Sequence, residues 1–185
     1  DHRESRGLGD VYKRQQEKIQ TTKKELADLN VNLEYQIAER TMALIQAKKL
    51  AEYQARTDPL TGIKNRRAFF ESANVIHQQS LRLGMEYVLL VIDIDNFKLV
   101  NDNYGHLVGD QVLILLANAI GSTIGSSNVS GRIGGDEFAI LLPESDTDAG
   151  ISRAEQLSAY FSEKINALGA LILKPTLSIG VEQYR

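Results

Sequence analysis

Helix-breaking residues are segregated in this chain, and that segregation limits what it can fold into. All three prolines, Pro59, Pro143 and Pro175, lie beyond residue 56. So do all fourteen glycines except Gly7 and Gly9. The first part is therefore free to run as one helix, and turns are confined to the second. From Gln16 to about Ala55 the pattern is helical. Ile19, Leu26, Leu29 and Leu33 follow a seven-residue frame in which Thr22 fills the remaining seam position. Ile37, Leu44 and Leu50 continue the apolar stripe, while Gln36 and Arg40 break strict heptad register as a stutter would. Such a helix is roughly 60 Å long at 1.5 Å per residue. A small domain cannot cover a narrow stripe of that length, so a partner helix is expected, with a solvated single helix as the alternative.

Composition narrows the classes further. The 185 residues include 24 acidic and 21 basic side chains, for a net charge of −3. There are no cysteines, which excludes a disulfide scaffold, a thiolate zinc site and a cysteine nucleophile. The longest apolar run, Val112 to Ala117, is too short to cross a bilayer. A mildly acidic chain without a basic patch is a poor match for nucleic acid, so no nucleic-acid partner is expected. The expected location is the cytoplasm, as a soluble protein or the soluble part of a larger one. Charge divides with the breakers: residues 1–56 carry 11 basic and 9 acidic side chains, and residues 57–185 carry 10 and 15.

Three segments are expected. Asp10 to Gln15 resembles an in-frame translation of a sequencing adaptor, so residues 1–15 are read as a non-native leader. Residues 16–56 form the coiled-coil helix, and residues 57–185 the globular domain. That domain opens with the turn Thr57-Asp58-Pro59-Leu60-Thr61-Gly62. Helical spacing covers Arg66 to Leu83. The continuous apolar run Tyr87 to Ile92 predicts a central strand covered on both faces. A second helix is predicted over Leu107–Ile120 and a third over Thr147–Leu168. Ser130–Ile133 and Phe138–Leu142 read as strands of a hairpin closed by Gly134-Gly135-Asp136-Glu137. Ala170–Leu173 and Thr176–Val181 are also strand-like. The order predicts an α+β fold, with an antiparallel-containing sheet and helices on one face.

The acidic residues carry the chemistry. A buried strand running into Asp93-Ile94-Asp95 places carboxylates where backbone leaves the core, and the hairpin can bring Asp136 and Glu137 to the same place. Such a cluster repels itself unless a cation intervenes. With oxygen ligands, no cysteine and three histidines, the pattern points to Mg²⁺ rather than zinc. Lys98 supplies a positive charge for a phosphate. Asp95 is left open between a metal contact and a turn cap, and Asn101 between a ligand contact and a helix cap.

These residues resemble a known family. Gly134-Gly135-Asp136-Glu137-Phe138 is similar to the signature of the GGDEF diguanylate cyclases. Asp58-x-Leu60-Thr61-Gly62 with Asn65-Arg66-Arg67, Asp93-x-Asp95-x-Phe97-Lys98, Asn101-Asp102 with Gly105-His106, and Gly109-Asp110 agree in order and spacing. Arg132 also sits where the family has arginine, and it is read with Asp58 as a structural ion pair. Asn30 to Glu34 and Ala38 to Thr41 resemble the signalling helix that joins sensor to output domains in bacterial transducers.

The resemblance implies a palm-like fold and a homodimer, paired through the N-terminal helix, in which two GTP molecules condense to cyclic di-GMP and two pyrophosphates. It implies that Asp93, Asp136 and the Ile94 carbonyl hold Mg²⁺ (or Mn²⁺), with Glu137 beside them and Lys98 steadying charge. Asn96, Phe97, Gly134 and Gly135 would offer backbone to phosphates, and Asn101 and Asp110 would read guanine. No inhibitory product site is expected, because Gly125 and Asn128 stand where the family's Arg-x-x-Asp motif would be. The domain is expected to be incomplete at its C-terminus and to have lost an upstream sensor domain. The alternative is a degenerate, non-catalytic GTP-binding or docking module.

Overall fold

A computed structural model describes residues 2–125, 128–167 and 172–184. Helix α1 spans His2–Arg56. The chain divides into two units, one ending at Glu52 and one beginning at Tyr53. In the first, Ile19, Leu26, Leu29, Leu33, Ile37, Leu44 and Leu50 remain 45–70% exposed. Such a stripe suits packing against another helix.

The second unit begins with the last turn of α1. Thr57 N–H still bonds the Tyr53 carbonyl, and then Pro59 stops the helix. Asp58 closes the turn by accepting from the Thr61 N–H and hydroxyl at 2.9 and 2.6 Å. Gly62 takes φ 74°, which a side chain would oppose. The elements that follow are β1 (Lys64–Asn65), α2 (Arg66–Leu83), β2 (Tyr87–Ile94), α3 (Phe97–Tyr104) and α4 (His106–Ile124). Then come β3 (Val129–Arg132), β4 (Glu137–Pro143), α5 (Thr147–Ala167) and β5 (Leu177–Tyr184). Asn65 caps α2 by accepting from the Ala68 N–H, and Gly84 ends it in the left-handed conformation.

The sheet order is β1-β3-β4-β2-β5; β1 and β3 run parallel and the other neighbours antiparallel. The predicted α+β sheet is thus present, with β2 central. Along β2, Val88, Leu90, Ile92 and Ile94 are buried against the α4 and α5 side, with Phe138, Leu116, Leu157 and Phe161. Two expectations need correction. Helices lie on both faces, because α2 packs on the side opposite α4 and α5, where Phe69 meets Gly131. That face is covered over β3 and β4 and less over β2, so Val91 is 44% exposed and β2 is not buried on both sides.

Sequence reasoning also missed α3, and α4 begins one residue earlier and ends four later than predicted. Its 19 residues reach bilayer-spanning length and apolarity, contrary to the run-length argument. That apolarity serves the core: Val112, Leu113, Leu116, Ala117, Ala119, Ile120 and Ile124 are buried. Of the predicted strand Ala170–Leu173, residues 170 and 171 lie outside the described residues, as does Leu168 at the predicted end of α5. Ile172 and Leu173 form a bend, with both N–H groups donating to the Tyr104 hydroxyl. The last strand starts at Leu177 and continues to Tyr184.

Candidate active site

Register builds the acidic cluster. Because β2 and β4 are antiparallel neighbours, Asp93 near the end of one stands opposite Glu137 at the start of the other. Asp136 immediately precedes Glu137 in the turn. Burial pushes the Asp93 pKa up, and the nearby charges of Asp136, Asp95 and Glu137 push it further. The site thus concentrates negative charge that a cation would relieve.

Among the described residues, no three histidine or acidic side chains form a ready-made cage for a metal. That suits magnesium, which commonly uses one or two carboxylates and takes its remaining oxygens from water and phosphate. Asp93 and Asp136 could supply the carboxylates. Ile94 ends β2 and is buried, and since its side chain is apolar only its carbonyl could act as a ligand. Asp95, left open above, does not cap α3, which starts without a side-chain cap bond. Its carboxylate accepts from the Thr176 and Ser178 hydroxyls at 2.5 and 2.6 Å, tying the β2 end to β5. Those hydrogen bonds, Ser178 first, hold its pKa down.

Beyond β2 the chain turns at Asn96, whose φ of 60° is left-handed, and enters α3 at Phe97. The first N–H groups of a helix lack intrahelical acceptors, so backbone at Phe97 and Lys98 is suited to an anion. Lys98 is exposed and forms no ion pair among the described residues. Asn101 is inside α3 and its carbonyl accepts from Gly105 N–H at 2.8 Å, so it is not a helix cap; Asn96 holds that place. The Asn101 side chain lies over Gly109 of α4, beside Asp110, which is half-buried. Asn101 and Asp110 are thereby brought to the junction of α3 and α4.

The glycine turn is tightly framed. Ile133 and Gly134 N–H groups both donate to the Glu137 carbonyl, at 2.9 and 3.2 Å. The Glu137 side chain folds across Gly134, where a Cβ would stand 2.2 Å from its Oε2. Arg66 donates to the Ile133 carbonyl at 2.8 Å. Arg132 donates to the Gly135 carbonyl through Nε and a terminal nitrogen, at 3.1 and 2.6 Å. It also pairs with Asp58 at 3.2 Å, so the two residues expected as an ion pair do meet. Sequence reasoning did not foresee either arginine's bond to the turn. The motif offered no signal for a contact to backbone.

At the positions of the absent product-site motif, Gly125 ends α4 at φ 77°. Asn128 donates its side-chain amide to the Ile124 carbonyl.

Comparison with known proteins agrees with this geometry. Residues 55–185 match the family model described as diguanylate cyclase, GGDEF domain. Diguanylate cyclase DgcM of Escherichia coli K12 is 38% identical over 133 residues, covering 72% of this chain and 32% of that protein. The chain spans about a third of the length of the curated relatives it matches. Among solved structures, the coiled coil and GGDEF domain of DgcB from Caulobacter crescentus, in complex with c-di-GMP, aligns with a TM-score of 0.72 at 28% identity. That alignment covers 83% of each chain. Diguanylate cyclase SiaD of Pseudomonas aeruginosa, solved with its activator SiaC, aligns at 0.67 and 32% identity over 99% of this chain and 70% of that one. With its acidic turn set against the end of β2 and its match beginning at residue 55, the chain belongs to the GGDEF family of diguanylate cyclase domains.

Proposed function

We propose that this protein condenses two GTP molecules into cyclic di-GMP, and that the helix α1 pairs with a second copy to bring two such sites face to face. The observation that carries the reading is the placement of Asp93 opposite Glu137, with Asp136 next to Glu137 in the turn and its charge felt at Asp93. Each 3′-hydroxyl oxygen attacks the α-phosphorus of the other nucleotide. The O3′–P bond forms, the bond to the bridging β-phosphate oxygen breaks, and pyrophosphate leaves; the second attack closes the ring. Magnesium held by Asp93, Asp136 and the Ile94 carbonyl would supply charge neutralisation at the phosphates.

The chain's own groups do the rest. Glu137 assists in activating the 3′-hydroxyl by accepting its proton. Lys98 meets charge developing on the transferred phosphoryl group. Backbone at Asn96, Phe97, Gly134 and Gly135 orients the phosphates, and positioning of this kind dominates in-line phosphoryl transfer. Asp110 accepts from the guanine N1–H and amino group, and Asn101 completes the base contact. The exposed stripe from Ile19 to Leu50 supports the second copy. We also assign the protein to the cytoplasm and its regulation to a signal arriving through α1.

The test is turnover of GTP with Mg²⁺, with product identified by chromatography and mass. Wild-type protein should form cyclic di-GMP, and Asp136→Ala should form none while remaining folded. Near-normal product from Asp136→Ala would overturn the assignment.

A further inference from the structure

The acidic turn has an inherent weakness. Two glycines precede Asp136, and glycine has the greatest backbone freedom of any residue. The Glu137 side chain covers Gly134, but a Cβ built on Gly135 would meet nothing within 4 Å, so side-chain packing does not hold the residue that precedes Asp136. Yet a metal-binding carboxylate must be held closely, since a displacement of about 1 Å can cost on the order of 100-fold in rate. Something outside the turn has to fix it.

We propose that Arg132 is a positioning residue that holds Asp136 in place through the Gly135 carbonyl, and that Asp58 keeps Arg132 aligned for that task. Three contacts support this. Nε and a terminal nitrogen of Arg132 both donate to the Gly135 oxygen, at 3.1 and 2.6 Å. The other terminal nitrogen donates to both Asp58 oxygens, at 3.2 and 3.4 Å. Asp58 is itself held by the Thr61 N–H and hydroxyl. A guanidinium is a rigid planar fork, so fixing one edge on Asp58 fixes the direction of the other. The Gly135 carbonyl shares its peptide plane with the Asp136 nitrogen, and that plane is rigid. Orienting the carbonyl therefore orients the start of Asp136.

The pair is well placed to act this way. The Arg132 and Asp58 side chains are only 16% and 18% exposed, so water competes weakly for the bond between them. Burial raises the Asp58 pKa, but the Thr61 and Arg132 contacts outweigh it and the group titrates below its usual value. Asp58 lies two residues past α1, whose last turn is tied to the domain by Asn65 and Arg67 donating to the Ala55 carbonyl. The clamp thus joins the domain entrance to the metal-binding turn.

The inference rests on the cyclase reading for its consequence, and the experiment separates the two. Amide exchange at Ile133 and Gly134, whose N–H groups bond the Glu137 carbonyl, reports the turn without turnover. In Arg132→Ala these two amides should exchange at least about 10-fold faster, while β2 amides stay unchanged. Arg153→Ala, an arginine bonded instead to the Thr123 carbonyl, should leave both turn amides as they are. In turnover, Arg132→Ala should lower kcat by roughly 10- to 100-fold and raise the Mg²⁺ needed for half-maximal rate by about 10-fold. The KM for GTP should rise by a smaller factor than the Mg²⁺ requirement, because the base and helix α3 contacts are untouched and only the phosphate contacts at Gly134 and Gly135 loosen. Arg132→Lys should fall between, since an ammonium cannot serve both partners in one plane. Asp58→Asn combined with Arg132→Ala should be no worse in kcat than Arg132→Ala alone. Unchanged turn exchange in Arg132→Ala overturns the clamp. So does a lowered melting temperature with kcat and Mg²⁺ dependence of the wild type. Wild-type protein that forms no cyclic di-GMP overturns the cyclase reading and leaves the exchange measurement to decide the clamp.

Discussion

Replacing Gly109 with alanine should separate binding of the base from stability of the fold. Gly109 lies in α4, and a Cβ there would stand 2.0 Å from Asn101 Oδ1, 3.0 Å from its Cγ and 3.3 Å from Phe97 Cζ. Ordinary carbon contacts begin at about 3.5 Å, so the Asn101 amide must retreat by roughly 1.5 Å. The nearest atom is the far end of a side chain that can rotate. The crowding therefore costs near the low end of the overpacking range, about 1 kcal/mol. Against it, alanine in place of glycine in a helix gains up to about 1 kcal/mol. The two nearly cancel, and the melting temperature should shift by no more than a few degrees. Function has no such compensation. If Asn101 contacts guanine, its displacement leaves a polar group of the base unpaired, at about 1–3 kcal/mol. The KM for GTP should rise roughly 10-fold, with larger values at the upper end of that range. Steady-state kinetics and a thermal melt on the same preparation test both halves. A wild-type KM in folded Gly109→Ala protein would refute the placement of Asn101 on the base.

The other predictions follow from the same contacts. Asp93→Asn should stop turnover yet raise the melting temperature of metal-free protein, because burial and the charges of Asp136, Asp95 and Glu137 all oppose its ionised form. Stability should fall as pH drops through the folded-state pKa values of Asp58 and Asp95, both depressed, so their contribution is complete above about pH 4 and lost below it; Asp93 contributes with the opposite sign. An acid titration of unfolding in Asp58→Asn should show a shallower decline than wild type, and an equal slope would contradict the assignment. Gly131→Ala should destabilise by about 1–3 kcal/mol, because its Cβ would meet Phe69 Cβ at 2.7 Å and the Lys64 carbonyl at 2.9 Å, and backbone cannot rotate away. Denaturant unfolding measures that loss.

Much of this fold was legible before any coordinates, and the failures have physical causes. Helix α2 is legible at Arg66–Leu83 because Phe69, Phe70, Ala73, Ile76 and Leu83 keep helical spacing. Strand β2 was legible because its run is apolar and ends abruptly at a charged residue, but apolarity did not reveal which face lacks a cover. Helix α3 was missed because Asn101, Asp102 and Asn103 put turn-forming side chains on three of its eight residues, with Asn96 just before it, and tertiary packing against α4 overrides that preference. Strand β1 is two residues long, too short to show any period. At the site, Asp93, Asp136 and Glu137 were legible as a cluster because strand ends and hairpins concentrate charge. The function of Asp95 was not, since its partners Thr176 and Ser178 lie some eighty residues away. Nor was the arginine frame around the turn. Its acceptors are backbone carbonyls, which carry no mark in a sequence.

The most direct test of the central claim is the product formed from GTP and Mg²⁺ as protein concentration is varied. In the proposed reaction two half-sites meet, so the rate of cyclic di-GMP formation per subunit should rise with concentration and level off as the dimer saturates. Leu26→Asp with Leu33→Asp should shift that curve to higher concentration. Cyclic di-GMP formed at a constant rate per subunit by demonstrably monomeric protein, or its absence at every concentration, would contradict the account.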